Sequence, residues 1–195
     1  MKFSCEKHLL QAAASTAARA ASAKSPIPDL EGLLIQAGSM VRITGYDLKK
    51  GIYTTMEADV ENPGAAVLNA KLFTEMLRRL PDGVVTVEVD GQNAVKVKCG
   101  RSEYNFIAID AEEYPELPDT DEAEAVSIPQ NILRDMIDET IFAVSTNESR
   151  PVYMGSLFEI ENGTLTIVSV DGYRLALRRE GLDGSGRDGL RFIIP

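Results

Sequence analysis

Hydrophobic and polar positions alternate or recur along this chain in an order that predicts its elements. Lys2-Phe3-Ser4-Cys5-Glu6 alternates as a half-buried strand does, with Phe3 and Cys5 on one face. An Ala-rich stretch from about Lys7 to Ser22 follows, with Leu9, Leu10, Ala13, Ala17 and Ala20 near helical spacing, and Pro26 and Pro28 stop it. Strand-like runs come next at Gly32 to Ala37, Met40 to Thr44 and Gly51 to Val60. The order then repeats: a strand from Ala65 to Leu68, and a helix from Asn69 to Leu80 with Leu72, Phe73, Met76, Leu77 and Leu80 on one side. After the turn Pro81-Asp82-Gly83 there are strands at Val84 to Val89, Ala94 to Cys99 and Glu103 to Ile109.

The same grammar starts a third time, with a strand at Ala125 to Ile128 and Pro129 entering a helix from about Gln130 to Val144. Strands at roughly Ser156 to Glu161, Thr164 to Val170 and Arg174 to Arg179 complete it. A shift of 124 residues lays Leu9 on Leu133, Leu33-Leu34 on Leu157-Phe158 and Asp47 on Asp171, as expected of tandem copies of one unit. The chain therefore reads as an α+β fold of repeated βαβββ units with antiparallel sheets. The closing Phe192-Ile193-Ile194-Pro195 is similar to Val126-Ser127-Ile128-Pro129 and reads as the opening of a fourth copy, cut short with its apolar edge unpaired.

The 44% hydrophobic and 26% charged content over 195 residues describes a folded chain, long enough for one large domain or two small ones. No run approaches a membrane span or a signal peptide, so a cytoplasmic protein without a membrane partner is expected. Cys5 and Cys99 stand far apart without metal-ligand spacing, and His8 is the single histidine. No metal site, cofactor or histidine-based catalytic residue is therefore expected. The net charge of -10 disfavours nucleic acid at first sight. Eight acids fall between Asp110 and Glu124 with no base among them, which leaves only about -2 for the rest of the chain. That stretch contains Pro115 and Pro118 and no apolar periodicity, so it divides the chain into a first domain at 1-117, an acidic linker at 118-124 and a second domain at 125-195, present as its N-terminal half.

These residues, in this order, resemble the bacterial replicative sliding clamp, the beta subunit of DNA polymerase III. The resemblance runs over the whole chain. It is carried by Met1-Lys2-Phe3 with His8-Leu9-Leu10, by Thr44-Gly45-Tyr46-Asp47-Leu48, and by Gly100-Arg101-Ser102. Further matches are Tyr114-Pro115-Glu116-Leu117, Ile128-Pro129, Arg150 to Gly155 and, most specifically, Val170-Asp171-Gly172-Tyr173-Arg174-Leu175-Ala176. It implies the DNA clamp fold: paired βαβββ units, helices on the inner face of a ring, antiparallel sheets outside, and two subunits closing head to tail as a homodimer. The function implied is that of a non-catalytic processivity factor encircling duplex DNA and tethering the polymerase catalytic subunit, the clamp loader and repair polymerases.

Such a ring needs basic helices facing phosphate. The first helix and its turn carry Lys7, Arg19 and Lys24 without an acid, and the second sets Lys71, Arg78 and Arg79 against Glu75. The third sets Arg134 against Asp135, Asp138 and Glu139, a net -2 where the ring calls for a neutral or basic surface. The resemblance assigns DNA contact to Lys24 and Asn147, with Arg19, Arg78 and Arg79 lining the same face. It assigns a groove for partners' short linear motifs to Tyr153, Val170, Gly172, Tyr173, Arg174 and Leu175. The sequence departs from the family pattern at three of these: Tyr153 for a frequent leucine, Val170 for threonine and Tyr173 for histidine. Lys71, Tyr104 and Phe106 fall on the implied ring interface.

Two other readings use the same residues. A clamp-fold binding module without a replication role would have the same sequence features, and only partner capture separates it. A nuclease would need Asp47 and Asp171, or the 110 to 124 acids, as Mg²⁺ ligands. The equivalent places of Asp47 and Asp171 in the repeats point instead to turns. Gly184 to Gly189 lacks the ending of a phosphate loop and reads as a hairpin.

Overall fold

The computed structural model describes residues 1–118, 126–182 and 189–195, and the chain divides into two compact units, Met1–Pro118 and Asp119–Pro195. In the first, β1 (Lys2–Glu6) leads directly into α1 (Lys7–Ala17), and β2 (Gly32–Ala37), β3 (Val41–Tyr46) and β4 (Gly51–Met56) form a meander. After β5 (Asp59–Asn62) the pattern recurs as β6 (Gly64–Asn69), α2 (Ala70–Arg79), β7 (Val84–Val89), β8 (Ala94–Cys99) and β9 (Ser102–Ile107). Two antiparallel sheets result, ordered β5-β1-β7-β8-β9 and β4-β3-β2-β6. They share one core with the helices, in which Phe3, Leu10, Leu33, Ile35, Phe73 and Leu77 are fully buried. Large aliphatic and aromatic side chains completely removed from water each contribute roughly 1.5–3 kcal/mol, so this core dominates the unit's stability.

The expected strand from Gly51 to Val60 is two strands. β4 pairs with β3 in one sheet and β5 with β1 in the other, so the chain changes sheets at Glu57-Ala58. Local pattern carries no mark of that change, because both halves alternate. The first helix ends at Ala17 instead of Ser22. Beyond it the Ser22 N–H donates to the carbonyl of Leu30 at 2.8 Å, not to a helical carbonyl, and so draws the chain off the helix axis. At the other end, α1 has no side-chain cap, and the Lys7 N–H is satisfied by the carbonyl of Gly83 at 2.9 Å. The second helix is capped by Asn69, whose side chain accepts from the Leu72 N–H at 2.9 Å.

The second unit holds α3 (Gln130–Asp138), β10 (Ser156–Glu161), β11 (Thr164–Val170), β12 (Leu175–Gly181) and β13 (Leu190–Ile194), with the sheet ordered β12-β11-β10-β13. Its core is smaller: Met136, Phe158, Ile160, Leu165, Ile167 and Leu182. The third helix stops at Asp138, short of Val144. The Thr140 hydroxyl donates back to the Met136 carbonyl at 2.8 Å, and a 3₁₀ turn at Ile141–Ala143 takes over. Residues 126–129 form no strand, and Ala125 lies outside the described residues, as do 119–124 of the expected linker and most of the expected hairpin at 184–189. The closing strand pairs on one side: β13 runs antiparallel to β10 and, among the described residues, is the edge strand of its sheet.

The tandem repeat is visible bond by bond, with one correction to its register. From α1 to β2 the shift is 123, not 124. Lys7 and Gln130 open the helices, and Ser22→Leu30 and Ser145→Tyr153 are the same backbone bond, 2.8 Å in each unit. Leu10 therefore corresponds to Leu133, and Leu34-Ile35 to Leu157-Phe158. From β3 onward the shift is 124. Ala37 pairs with Val41 across three turn residues, whereas Ile160 pairs with Leu165 across four, so the second unit carries one extra residue in that turn.

Candidate nucleic-acid interface and partner groove

Lys24 and Asn147 occupy one position in the two units, each two residues beyond the serine that makes the equivalent bond. Both side chains are exposed on loops held by local hydrogen bonds. The Ser22 hydroxyl donates to the Lys24 carbonyl at 3.0 Å. The Asn147 N–H donates to the Ser145 hydroxyl at 3.0 Å, and its side-chain oxygen accepts from the Ser149 N–H at 3.0 Å and the Ser149 hydroxyl at 2.6 Å. Arg19, Lys71, Arg78 and Arg79 are likewise exposed, on α1's C-terminal turn and on α2. Two of the three acids at and just after α3 pair with arginines. Asp135 pairs with Arg134 at 3.0 Å, and Glu139 pairs with Arg178 of β12 at 3.3 Å, a partner the helix alone could not reveal.

Asp47 and Asp171 each close a turn. Asp47 Oδ1 accepts from the N–H groups of Lys49 and Lys50 at 3.0 and 2.8 Å, and Asp171 Oδ1 from those of Tyr173 and Arg174 at 3.0 and 3.1 Å. The backbone donors hold the Asp171 carboxyl below the usual range, with the Arg174 guanidinium adding to the effect. The Asp47 carboxyl is lowered too: partial burial opposes ionisation, and the Lys50 and Lys49 N–H groups together with the Lys50 charge outweigh it. These bonds make the two aspartates turn-formers, and no group of three or more His, Cys, Asp or Glu among the described residues is arranged to hold a metal.

A cavity of about 550 Å³ opens in the second unit. Tyr153, Leu157, Val168, Val170 and Ile193 are among its walls, so of the six sequence-assigned groove residues it gathers Tyr153 and Val170. Gly172, Tyr173, Arg174 and Leu175 lie on the turn and strand that follow Val170, with the Tyr173 side chain fully in solvent and Leu175 63% exposed. Gly172 has φ +94°, a conformation that glycine adopts without penalty. Leu157, Val168 and Ile193 were not singled out from sequence. Their strand periodicity reads as ordinary core, and only the repeat comparison distinguishes them.

The first unit shows the same place filled. Leu30, Leu34, Tyr46 and Val67 are the counterparts of Tyr153, Leu157, Val170 and Ile193, and they pack with Tyr114, Ala111 and Leu117 as a separate cluster. The last correspondence is fixed by a pair of glycines. A Cβ on Gly32 would strike the Val67 side chain and approach the Leu68 carbonyl, and one on Gly155 would strike the Ile193 side chain and the Ile194 carbonyl. The covering segment is clipped to β6 by reciprocal Val67 and Ile109 backbone bonds of 3.0 and 2.9 Å. Gly51 leaves room for Leu117, where Leu175 stands in the second unit. The start of the acidic stretch, up to Leu117, thus packs against the first unit. Tyr104 and Phe106 lie on β9, an edge strand, with Phe106 half-buried against the main core.

Repeated βαβββ units, each with a helix over an antiparallel sheet and a tethered loop after its first helix, define the sliding-clamp class of fold. Family models for the DNA polymerase III beta subunit match throughout: the N-terminal domain over residues 1–118 and the central domain over 127–195. The Beta sliding clamp of Bacillus subtilis is 35% identical over all of this chain and 54% of its own length, and that of Micrococcus luteus is 34% identical over 91% and 57%. Among solved structures, the DNA polymerase sliding clamp from Bacillus subtilis aligns with a TM-score of 0.96 at 34% identity, covering 100% of this chain and 54% of that one. The DNA polymerase III subunit beta from Pseudomonas aeruginosa aligns at 0.90 and 27%, covering 100% and 53%. The chain belongs to the DNA polymerase III beta subunit family, and it spans about half the length of the relatives it matches.

Proposed function

We propose that this chain supplies duplex-facing helices and one wall of a partner groove in a ring-shaped, non-catalytic processivity factor of DNA replication. The observation that carries the reading is the placement of Lys24 and Asn147 at one position of two repeated units, exposed beyond the same backbone hydrogen bond. An exposed polar position that recurs from unit to unit suits contact with a polyanion read without regard to base sequence. Few phosphate contacts mean weak, salt-screened attraction, so retention rests on encirclement and permits sliding. Arg19, Arg78 and Arg79 add positive charge on the same helices. Lys71, Tyr104 and Phe106 serve the head-to-tail homodimer interface, where an edge strand can be continued by another subunit. The groove at Tyr153, Val170, Gly172, Tyr173, Arg174 and Leu175 receives apolar anchors of short linear motifs from the polymerase catalytic subunit, the clamp loader and repair polymerases. The setting is the cytoplasm.

The test loads the full-length protein on nicked circular duplex and washes at high salt. Retention on the circle with release on linearisation is expected, and equal retention on both forms overturns the ring. Lys24→Ala with Asn147→Ala should lower residual affinity for linear duplex and flatten its salt dependence by about one phosphate contact.

A further inference from the structure

Arg174 and Phe142 form a contact that the first unit cannot make. The Arg174 guanidinium stands 5.6 Å from the centroid of the Phe142 ring, and its Nε donates to Asp171 Oδ2 at 2.8 Å. Two restraints of different kinds, one ionic and one on the ring face, thus act on a planar head that is otherwise in solvent. Phe142 itself is 57% exposed on the 3₁₀ turn after α3, so its ring contributes little to the core.

The repeat supplies the comparison. At the bond-by-bond correspondence set out above, Phe142 takes the place of Arg19 and Arg174 the place of Lys50. Lys50 keeps the ion pair with its own turn aspartate, at 3.7 Å to Asp47. Arg19 is a second cation and offers no aromatic face. Both positions therefore differ together between the units, and in the direction that creates a cation on a ring.

We infer that Phe142 is a positioning residue for the partner groove, holding the Arg174 guanidinium at the end of the Asp171 turn so that it meets the partner's motif without first being ordered. The inference rests on the groove reading proposed above. Preorganisation of a long cationic side chain lowers the ordering cost of binding, and a cation on an aromatic face is held by about 0.5–1 kcal/mol at exposed sites. Phe142 does not need to touch the partner.

The experiment measures capture of the polymerase catalytic subunit by the full-length protein carrying Arg174→Ala, Phe142→Leu or Phe142→Tyr, together with the NMR shift of the Arg174 Nε–H without partner. Phe142→Leu keeps apolar bulk and removes the ring, and Phe142→Tyr keeps the ring. The expected result is a loss of about two- to sixfold in affinity for Phe142→Leu, a loss at least as large for Arg174→Ala, and near-native capture by Phe142→Tyr. An upfield ring-current shift of the Arg174 Nε–H should vanish in Phe142→Leu and persist in Phe142→Tyr. Native capture by Phe142→Leu while Arg174→Ala fails overturns the positioning role and leaves the groove in place. Native capture by Arg174→Ala removes Arg174 from the groove, and Phe142→Tyr as weak as Phe142→Leu overturns the ring's part.

Discussion

Leu48 and Gly172 sit at the same step of the same turn, one residue past the aspartates that close it, and both have left-handed backbone: φ 69° at Leu48 and 94° at Gly172. The second unit meets that requirement with the residue that tolerates it. The first forces a branched side chain into it, at a cost of roughly 1–2 kcal/mol. Leu48 is 53% exposed and so recovers little by burial. Leu48→Asn should raise stability by roughly 0.5–1 kcal/mol, since Asn tolerates this region, and Gly172→Ala should lower it. Paired thermal melts would show it, and a lowered melting point for Leu48→Asn contradicts the strain.

Tyr114 is buried beneath the groove-like face of the first unit, and its hydroxyl lies 3.5 Å from the Thr44 carbonyl, at the outer limit of a hydrogen bond. Its worth is therefore mainly the ring. Tyr114→Ala should cost about 3 kcal/mol through the cavity it leaves, and Tyr114→Phe well under 1 kcal/mol. Urea titration separates the two, and equal losses would place the value in the hydroxyl.

Gly155 is constrained by space, not by dihedral angle. A Cβ there would meet the Ile194 backbone carbonyl, which cannot swing aside as a flexible side chain can, whereas nothing lies within 4 Å of a Cβ on Gly38. Gly155→Ala should destabilise the second unit by about 1–3 kcal/mol and open the pairing of β10 with β13, detectable as faster hydrogen exchange at β13. Gly38→Ala should be neutral or slightly stabilising.

Alkaline pH should weaken the first unit before any reagent reaches it. Burial pushes the Cys5 thiol up from 9.0 to about 12, with the Glu6 charge adding to it, and burial pushes the Tyr114 hydroxyl up from 10.0 to about 12, with Asp29 adding to it. The unfolded chain therefore releases these protons first. The stabilisation is complete below about pH 9 and is lost progressively between pH 9 and 12. Denaturant midpoints measured from pH 8 to 11 should fall, and Cys5→Ala should flatten the first part of the decline. A thiol reagent at pH 8 should label Cys5 only upon unfolding.

The order of strands and helices was legible in the chain because alternation and helical spacing are local: β2, β7, β8, β10 and β11 begin and end where the pattern does. The repeat was legible as well, through Asp47 and Asp171, which make a self-contained turn. Its register was not, because the extra residue sits in a hairpin where no side-chain pattern records it, and the Ser22 and Ser145 bonds reach across a loop. The same limit hid the change of sheet after Met56, the early end of α1, and the pairing of Arg178 with Glu139. It also hid what Tyr114 and Leu117 do: they lie in an acidic, proline-containing stretch without apolar periodicity, yet they pack against Leu30, Tyr46 and Val67. Local periodicity fixes what each segment becomes. Which segment covers which face is a matter of long-range apolar burial and shape, and only the tertiary structure decides it.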